Sequence, residues 1–419
     1  MDINVYEQSS KIVIITAGGT IGQKKNQDGV KEPFEGVIEK VSRNAIARIE
    51  SETPICFSGN RISFDIKPLF LIDSVNITPE RRNNLAASIY ETSLVPGIVS
   101  IIVTTGTDTL KETINTMPIM LETKLPVIFV VSNKSPDEGI EAQTNMEKAL
   151  IASVTLSQSC IGGIFLVATS NKIYEAANVT EINGSFGAVK RPSEVKHLGV
   201  FEDYILRLDE KKKDTYTENT SRITGSLLNL GHDENVIPLT ISAGTSFSTN
   251  ERLIKAAAEM ASAIVLETNH SLSVGENLHG VLKEAARKIP VFVTSPFPVF
   301  VNNVGSYVTS RSLYDIGVYP GTGQPRLDLA IARAAVASGV DPKLSFMDGV
   351  LRASMGGINF HREVTARDLE NLAGMRFHHA ISQASAMNQR LNDTQNSLRA
   401  RGLLRQTVTS SSNLVKVRK

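Results

Sequence analysis

Residues 11–22 read Lys-Ile-Val-Ile-Ile-Thr-Ala-Gly-Gly-Thr-Ile-Gly, and the organisation of the chain follows from them. Lys11–Ile15 is a β-branched apolar run of the length of one buried strand. Gly18 and Gly19 let the backbone turn sharply behind it and approach a ligand closely. They set the hydroxyl of Thr20 at the carboxyl end of the strand, where open α/β sheets bind ligands. The stretch is not a phosphate loop: it has neither the G-x-G-x-x-G spacing nor G-x-x-x-x-G-K-[ST]. Taken alone, it reads equally well as a plain strand and turn.

The pattern repeats downstream. Residues 23–36 are polar, with Gly29, Pro33 and Gly36, and read as a mobile loop beside Thr20, a place where lids sit. Val37–Glu52 reads as a helix, and Ile62–Ile66 and Phe70–Ile72 as two short strands ending at the turn Asp73-Ser74. Thr78 and Pro79 open a helix that runs to Ser93. Ile98–Val103 is a second apolar strand; it leads into Thr104-Thr105-Gly106-Thr107-Asp108-Thr109 and a helix to Glu122. Pro126–Val131, Glu141–Leu156 and Ile161–Ala168 continue as strand, helix and strand. Such alternation indicates βαβ units and a mostly parallel sheet. Both hydroxyl-rich turns then fall on one carboxyl edge, which favours a functional site over two unrelated turns.

The fold class is α/β, with two βα domains: a larger N-terminal one with a mostly parallel sheet and a smaller C-terminal one. The boundaries fall at 1–206, a charged polar linker at 207–235, a second domain at 236–338, and an extension at 339–419. In the second domain Val236–Ile241, Ala263–Glu267 and Pro290–Thr294 are strands; Glu251–Met260, Glu276–Lys288 and Pro325–Val336 are helices. From Met387 the extension is basic, with Arg390, Arg399, Arg401, Arg405, Lys416, Arg418 and Lys419 against Asp393, and reads as a solvated tail or a contact for an acidic partner.

Composition removes other classes. A net charge of +1 gives no overall pull toward nucleic acid or membrane, so any nucleic-acid contact is left to the tail. Aromatics at 5% with no tryptophan argue against a stacking platform for single strands. Cys56 and Cys160 have no metal-type spacing and make no disulfide framework. No apolar run is long enough for a membrane span, and the first residues lack a basic region followed by an apolar one, so a cytoplasmic location is expected.

Thr16-Ala17-Gly18-Gly19-Thr20-Ile21-Gly22 together with Thr105-Gly106-Thr107-Asp108-Thr109-Leu110 resembles the L-asparaginase family, the bacterial-type two-domain asparaginases and glutaminases. Asp73-Ser74-Val75-Asn76-Ile77-Thr78-Pro79-Glu80 is similar to a third motif of that family, and Val265-Leu266-Glu267 and Gly317-Val318-Tyr319-Pro320-Gly321 follow in family order. The resemblance covers about residues 10–338 and leaves the extension without a counterpart. It implies an amidohydrolase that turns asparagine or a related side-chain amide into the acid and ammonia through a threonine acyl-enzyme. Thr20 would be the nucleophile and Thr107 the second catalytic threonine, orienting or activating water. Asp108 would hold the substrate ammonium and Ser74 its α-carboxylate, with Gly19 and Gly106 lining the substrate. Backbone N–H groups near Gly18, Gly19 and Gly106 would face the oxyanion. The resemblance implies no metal or organic cofactor. It implies a homodimer or homotetramer with a small-molecule amide or amino acid as substrate.

Four departures stand beside it. Glu181 occupies the position of the family's catalytic lysine, where a carboxylate raises the proton affinity of nearby hydroxyls instead of lowering it. Lys172 and Lys190 are the nearest lysines that would substitute. The lid tyrosine falls at Val30 or Phe34, and the histidine before Gly-Thr-Asp-Thr is Thr105. The G-x-G-N turn of the second domain is His270-Ser271-Leu272-Ser273. These departures keep a second reading open, a catalytically inactive asparaginase fold acting as a ligand-binding or structural subunit. A third reading, the ammonia-producing subunit of a transfer-RNA amidotransferase, is suggested by the basic tail and opposed by the early position of the first motif.

Overall fold

The computed structural model describes residues 10–349 except 53–55, 58–59, 168–170, 177–178, 183–184, 189–196, 222–224, 228–234, 242–243, 269–271, 296–311, 314, 322–323, 339–340, 344 and 346–348. Most of the extension at 339–419, with the whole basic tail, lies outside the described residues.

In chain order, the first part contains β1 (Lys11–Ala17), β2 (Gln23–Lys25), β3 (Lys31–Pro33), α1 (Val37–Glu52), β4 (Ser63–Phe70), α2 (Pro79–Ser93), β5 (Ile98–Thr104) and α3 (Leu110–Met120). It continues with β6 (Pro126–Val130), α4 (Glu141–Gln158), β7 (Gly163–Val167), β8 (Lys172–Glu175), β9 (Val179–Ile182), β10 (Ser185–Ala188), β11 (Gly199–Glu202), β12 (Ile205–Leu208) and α5 (Glu210–Ser221). One eight-stranded sheet runs in the order β12-β11-β8-β7-β6-β5-β1-β4. From β7 to β4 every neighbour is parallel, while β8, β11 and β12 are antiparallel additions at the far side.

Two-sided burial explains why β1 is apolar throughout. Ile12 and Ile14 pack on one face with residues of α1 and α4, whereas Val13 and Ile15 pack on the other with residues of α2 and α3. Ile14 has no solvent exposure. Ile14→Ala is expected to lower the unfolding free energy by about 2–5 kcal/mol. A urea titration reads this as a shifted midpoint at an unchanged slope.

The second part contains β13 (Val236–Thr240), α6 (Phe247–Met260), β14 (Ala263–Glu267), α7 (His279–Lys288), β15 (Val291–Thr294), β16 (Val318–Pro320) and α8 (Pro325–Ala337). Its four strands are parallel, in the order β13-β14-β15-β16. Ile264 and Leu266 face α6 and α7, while Ala263 and Val265 face α8. Ile119 of α3 joins that second cluster, and Arg326 Nε lies 2.9 Å from Glu112 Oε1, so α8 is shared between the small sheet and α3.

Some expectations are corrected. Residues 23–36 are not an irregular loop: β2 and β3 form an antiparallel hairpin with Gln23 opposite Pro33. Its turn is built on Asn26, whose Oδ1 accepts from the N–H of Asp28 and of Val30, each at 3.0 Å. The two short strands expected over 62–72 are one strand, β4. Pro68 is accommodated because β4 is an edge strand and the register shifts after Thr16. The helix after Thr109 stops at Met120, because Leu121-Glu122 pairs with Ser226-Leu227. Helix α6 begins at Phe247, ahead of the expected Glu251; the Ser246 side chain accepts from Thr249 N–H.

Within the polar stretch 207–235, the charged run opens α5 where a solvated linker was expected. Tyr216 of this helix is buried, its ring 6.0 Å from that of Phe165, and its hydroxyl donates to Glu175 Oε2 at 3.0 Å. Burial, and then Glu175, pushes the phenol well above its ordinary range.

Candidate active site

Three strand ends meet at one place. β1 lies between β5 and β4 and runs parallel to both, with Thr16 opposite Thr104 and Ala17 opposite Phe70. The segments that leave these ends are Gly18-Gly19-Thr20, Thr105-Gly106-Thr107-Asp108 and Ile72-Asp73-Ser74. They lie so close that only glycine fits between them. Gly18 and Gly19 have φ of +83° and +93°. A Cβ on Gly18 would collide with the carbonyl of Ile72, and one on Gly19 with the backbone of Thr105 and Gly106. A Cβ on Gly106 would collide with the side chain of Ser74 and sit 3.0 Å from the Gly19 Cα.

Hydrogen bonds hold the three segments. Gly19 N–H donates to the Ile72 carbonyl at 3.3 Å, and the Thr109 hydroxyl donates to the Ser74 carbonyl at 2.9 Å. Thr105 N–H donates to the Val130 carbonyl at 3.3 Å, tying the second turn to β6. In this arrangement the Gly19 N–H faces the Ile72 carbonyl. Thr20 is half-buried at the start of a single 3-10 turn, Thr20–Gly22, whose Gly22 N–H donates to the Gly19 carbonyl at 2.9 Å. Ser74 is buried, Thr107 half-buried and Asp108 exposed. Thr105 is fully buried, and its hydroxyl has no hydrogen-bond partner among the described residues.

The departures are placed as follows. Val30 is exposed at the turn of the β2–β3 hairpin, and Phe34 is exposed just after it, with Lys24 Nζ 5.1 Å from its ring centre. Glu181 lies on β9, opposite Phe186 of β10, in a two-stranded hairpin that contacts α3. Ser273 is half-buried after β14, while His270, Ser271 and Lys190 lie outside the described residues. Lys172 opens β8, three strands away from β5 in the sheet.

The β2–β3 hairpin that follows Thr20–Gly22 makes contacts that the sequence does not single out. Lys25 and Lys31 of the hairpin reach the loop after β6. Lys25 Nζ lies 3.0 Å from Glu138 Oε1, and Lys31 Nζ lies 2.6 Å from Glu138 Oε2. Lys25 N–H donates to Asp137 Oδ2 at 3.0 Å. Ser135 N–H and its hydroxyl donate to Glu138 Oε2 at 3.0 and 2.9 Å. Lys31, then the Ser135 N–H, then Lys25 hold the Glu138 carboxyl far below the usual carboxylate range. A depressed folded value means that the link is complete above the unfolded value of about 4.3, and it is lost only as pH falls through the depressed one. Alternating residues around the Asn26–Gly29 turn hint at the hairpin, but nothing in the sequence pairs it with Glu138.

Residues 11–212 match the family described as Asparaginase, N-terminal. Residues 11–212 belong to the asparaginase family. It is similar to the L-asparaginase of Bacillus licheniformis, 27% identical over 178 residues, 42% of this chain and 51% of that protein. The chain thus spans about half the length of that relative. It is also similar to the L-asparaginase of Thermococcus kodakarensis, 24% identical over 319 residues, 74% of this chain and 87% of that one. The solved thermostable L-asparaginase from Thermococcus kodakarensis superposes with a TM-score of 0.65 at 19% identity, covering 80% of this chain and 96% of that chain. A probable cytoplasmic L-asparaginase from Campylobacter jejuni superposes with a TM-score of 0.60 at 19% identity, over 81% and 99% of the two chains. These two superpositions show a common fold: the asparaginase-like α/β architecture, with the larger, mostly parallel sheet followed by a smaller parallel one. Among the described residues, no helix is long and apolar enough to cross a membrane, and no group of His, Cys, Asp and Glu converges as a metal site.

Proposed function

We propose that this chain hydrolyses asparagine or a related side-chain amide to the acid and ammonia, with Thr20 as the nucleophile. The observation that carries the reading is the meeting of Thr20, Ser74 and Thr107-Asp108 on one sheet edge, brought together by three glycines that admit no side chain. The Thr20 oxygen attacks the amide carbon, the C–N bond breaks as ammonia leaves, and an acyl ester remains on Thr20. Water, oriented by Thr107, then cleaves that ester and returns the Thr20 proton. Gly18 and Gly106 offer backbone N–H groups to the oxyanion. Asp108 is exposed beside Thr107, suited to a substrate ammonium that arrives from solvent, and Ser74 takes the α-carboxylate. The close approach of these three segments supports this reading, with Glu181 standing where the family has its catalytic lysine.

The test is ammonia release from asparagine and from glutamine by the purified chain. Release from either at a rate proportional to protein supports the reading, and none from both contradicts it. Asp108→Asn is expected to raise KM about 10-fold or more, since it removes a charge-assisted contact. An unchanged KM would take the ammonium away from Asp108. Likeness to the Campylobacter jejuni protein supports a cytoplasmic location. A homodimer or homotetramer is the assembly this reading expects, with sedimentation at micromolar concentration as its check.

A further inference from the structure

The β2–β3 hairpin leaves β1 directly after Thr20–Gly22, and the loop carrying Asp137 and Glu138 leaves β6. In the sheet, β5 lies between β1 and β6. The link from Lys25 and Lys31 to Asp137 and Glu138 therefore spans two strand spacings, about 10 Å, across the carboxyl end of β5. That end carries Thr105-Gly106-Thr107-Asp108. A hairpin tied at both sides bridges the second catalytic turn.

The hairpin has little else to hold it. Its strands are three residues each, its turn is exposed, and an isolated two-stranded hairpin is marginal in water. Phe34 N–H donates to the Gly22 carbonyl at 3.1 Å at its base. Away from the base, its ties among the described residues go to the loop after β6: the two ion pairs, the bond to Asp137, and Lys31 Nζ donating to the Asn133 carbonyl at 3.4 Å. The anchor itself is fixed. Ser135 is fully buried and donates twice to Glu138, and Asn133 N–H donates to Glu141 Oε1 at 3.0 Å at the start of α4. A rigid carboxylate thus faces two flexible lysines.

We propose that Glu138 is a positioning residue that latches the β2–β3 hairpin, through Lys25 and Lys31, across the Thr107-Asp108 turn. This rests on the amidohydrolase reading for its consequence in turnover, but not for the latch itself. The latch closes the site over bound substrate and must open for exchange with solvent. Its pairs are partly exposed, so salt weakens them.

Hydrogen exchange of the full chain, resolved to peptides, tests the latch without needing activity. Glu138→Gln keeps an acceptor for Ser135 and removes the charge that attracts both lysines. Exchange over residues 23–33 is expected to rise about fivefold in this variant, and to rise in the wild type when salt goes from about 20 mM to about 500 mM. Peptides of β6 and α4 stay unchanged. Lys25→Met with Lys31→Met, which leaves Glu138 and its Ser135 donors in place, gives the same rise, and kcat/KM for the amide follows the same order. Unchanged exchange over 23–33 in Glu138→Gln overturns the latch, whatever the turnover. A rise that extends equally over 126–158 also overturns it, by making Glu138 an ordinary structural residue. Absent turnover in a wild type whose hairpin responds as expected leaves the latch standing and counts against the amidohydrolase reading alone.

Discussion

Gly19→Ala is expected to cost about 2–5 kcal/mol of stability and to remove turnover. Two costs combine. Gly19 sits at φ 93°, ψ 167°, a region that residues with a Cβ avoid. The added methyl would also meet the backbone of Thr105 and Gly106, which cannot rotate away as a side-chain end would. Relief requires moving β1's end from β5's end, and that shift separates Thr20 from Thr107. Gly36→Ala is the control: φ is +78° there, but nothing lies within 4 Å of the new Cβ. It pays the backbone strain of about 1–2 kcal/mol and leaves the site alone. Thermal unfolding and ammonia release, measured on both variants, separate the terms. Equal losses in the two variants would contradict the close approach of the turns.

Thr20→Ala is expected to lower kcat by on the order of 10⁴-fold, while the fold changes by less than about 1 kcal/mol. The side chain is half-buried, so its methyl and hydroxyl contribute little packing, whereas the proposed covalent route needs its oxygen. Thr20→Ser keeps the hydroxyl and retains measurable turnover. Thr107→Ala separates the two chemical steps. If Thr107 orients the hydrolytic water, the variant still acylates and then stalls, so a burst of ammonia of about one equivalent is followed by a slow phase. Full steady-state turnover in Thr20→Ala assigns the nucleophile elsewhere.

Much of this arrangement is legible in the residues. β1 and β5 announce themselves because a parallel strand buried on both faces must be apolar at successive positions, as Ile12–Ile15 and Ile101–Val103 are. Val37–Glu52 was bounded correctly by its own periodicity, and Thr78 with Pro79 marked the start of α2. Two small polar turns after such strands placed Thr20 and Thr107-Asp108 on one edge, and the family resemblance added Ser74. The contact of Gly106 with the Ser74 side chain was not legible, since it depends on how tightly three strand ends close. The latch was less so: Lys25 and Asp137 are 112 residues apart, and charged residues in loops carry no periodicity. Helix α5 is hidden by its run of charges: among its described side chains, Tyr216 and Thr220 are the buried ones. β4 was split in two at Pro68, because an edge strand tolerates a proline that a central strand would not.

Rapid acid quenching during turnover of asparagine, followed by peptide mass analysis, tests the central claim most directly. The account predicts an aspartyl ester on Thr20, in the peptide from Ile12 to Lys24, that accumulates in Thr107→Ala and is absent from Thr20→Ala. Turnover of asparagine with the ester on another residue, or with no ester in Thr107→Ala while Thr20→Ala remains active, would contradict it.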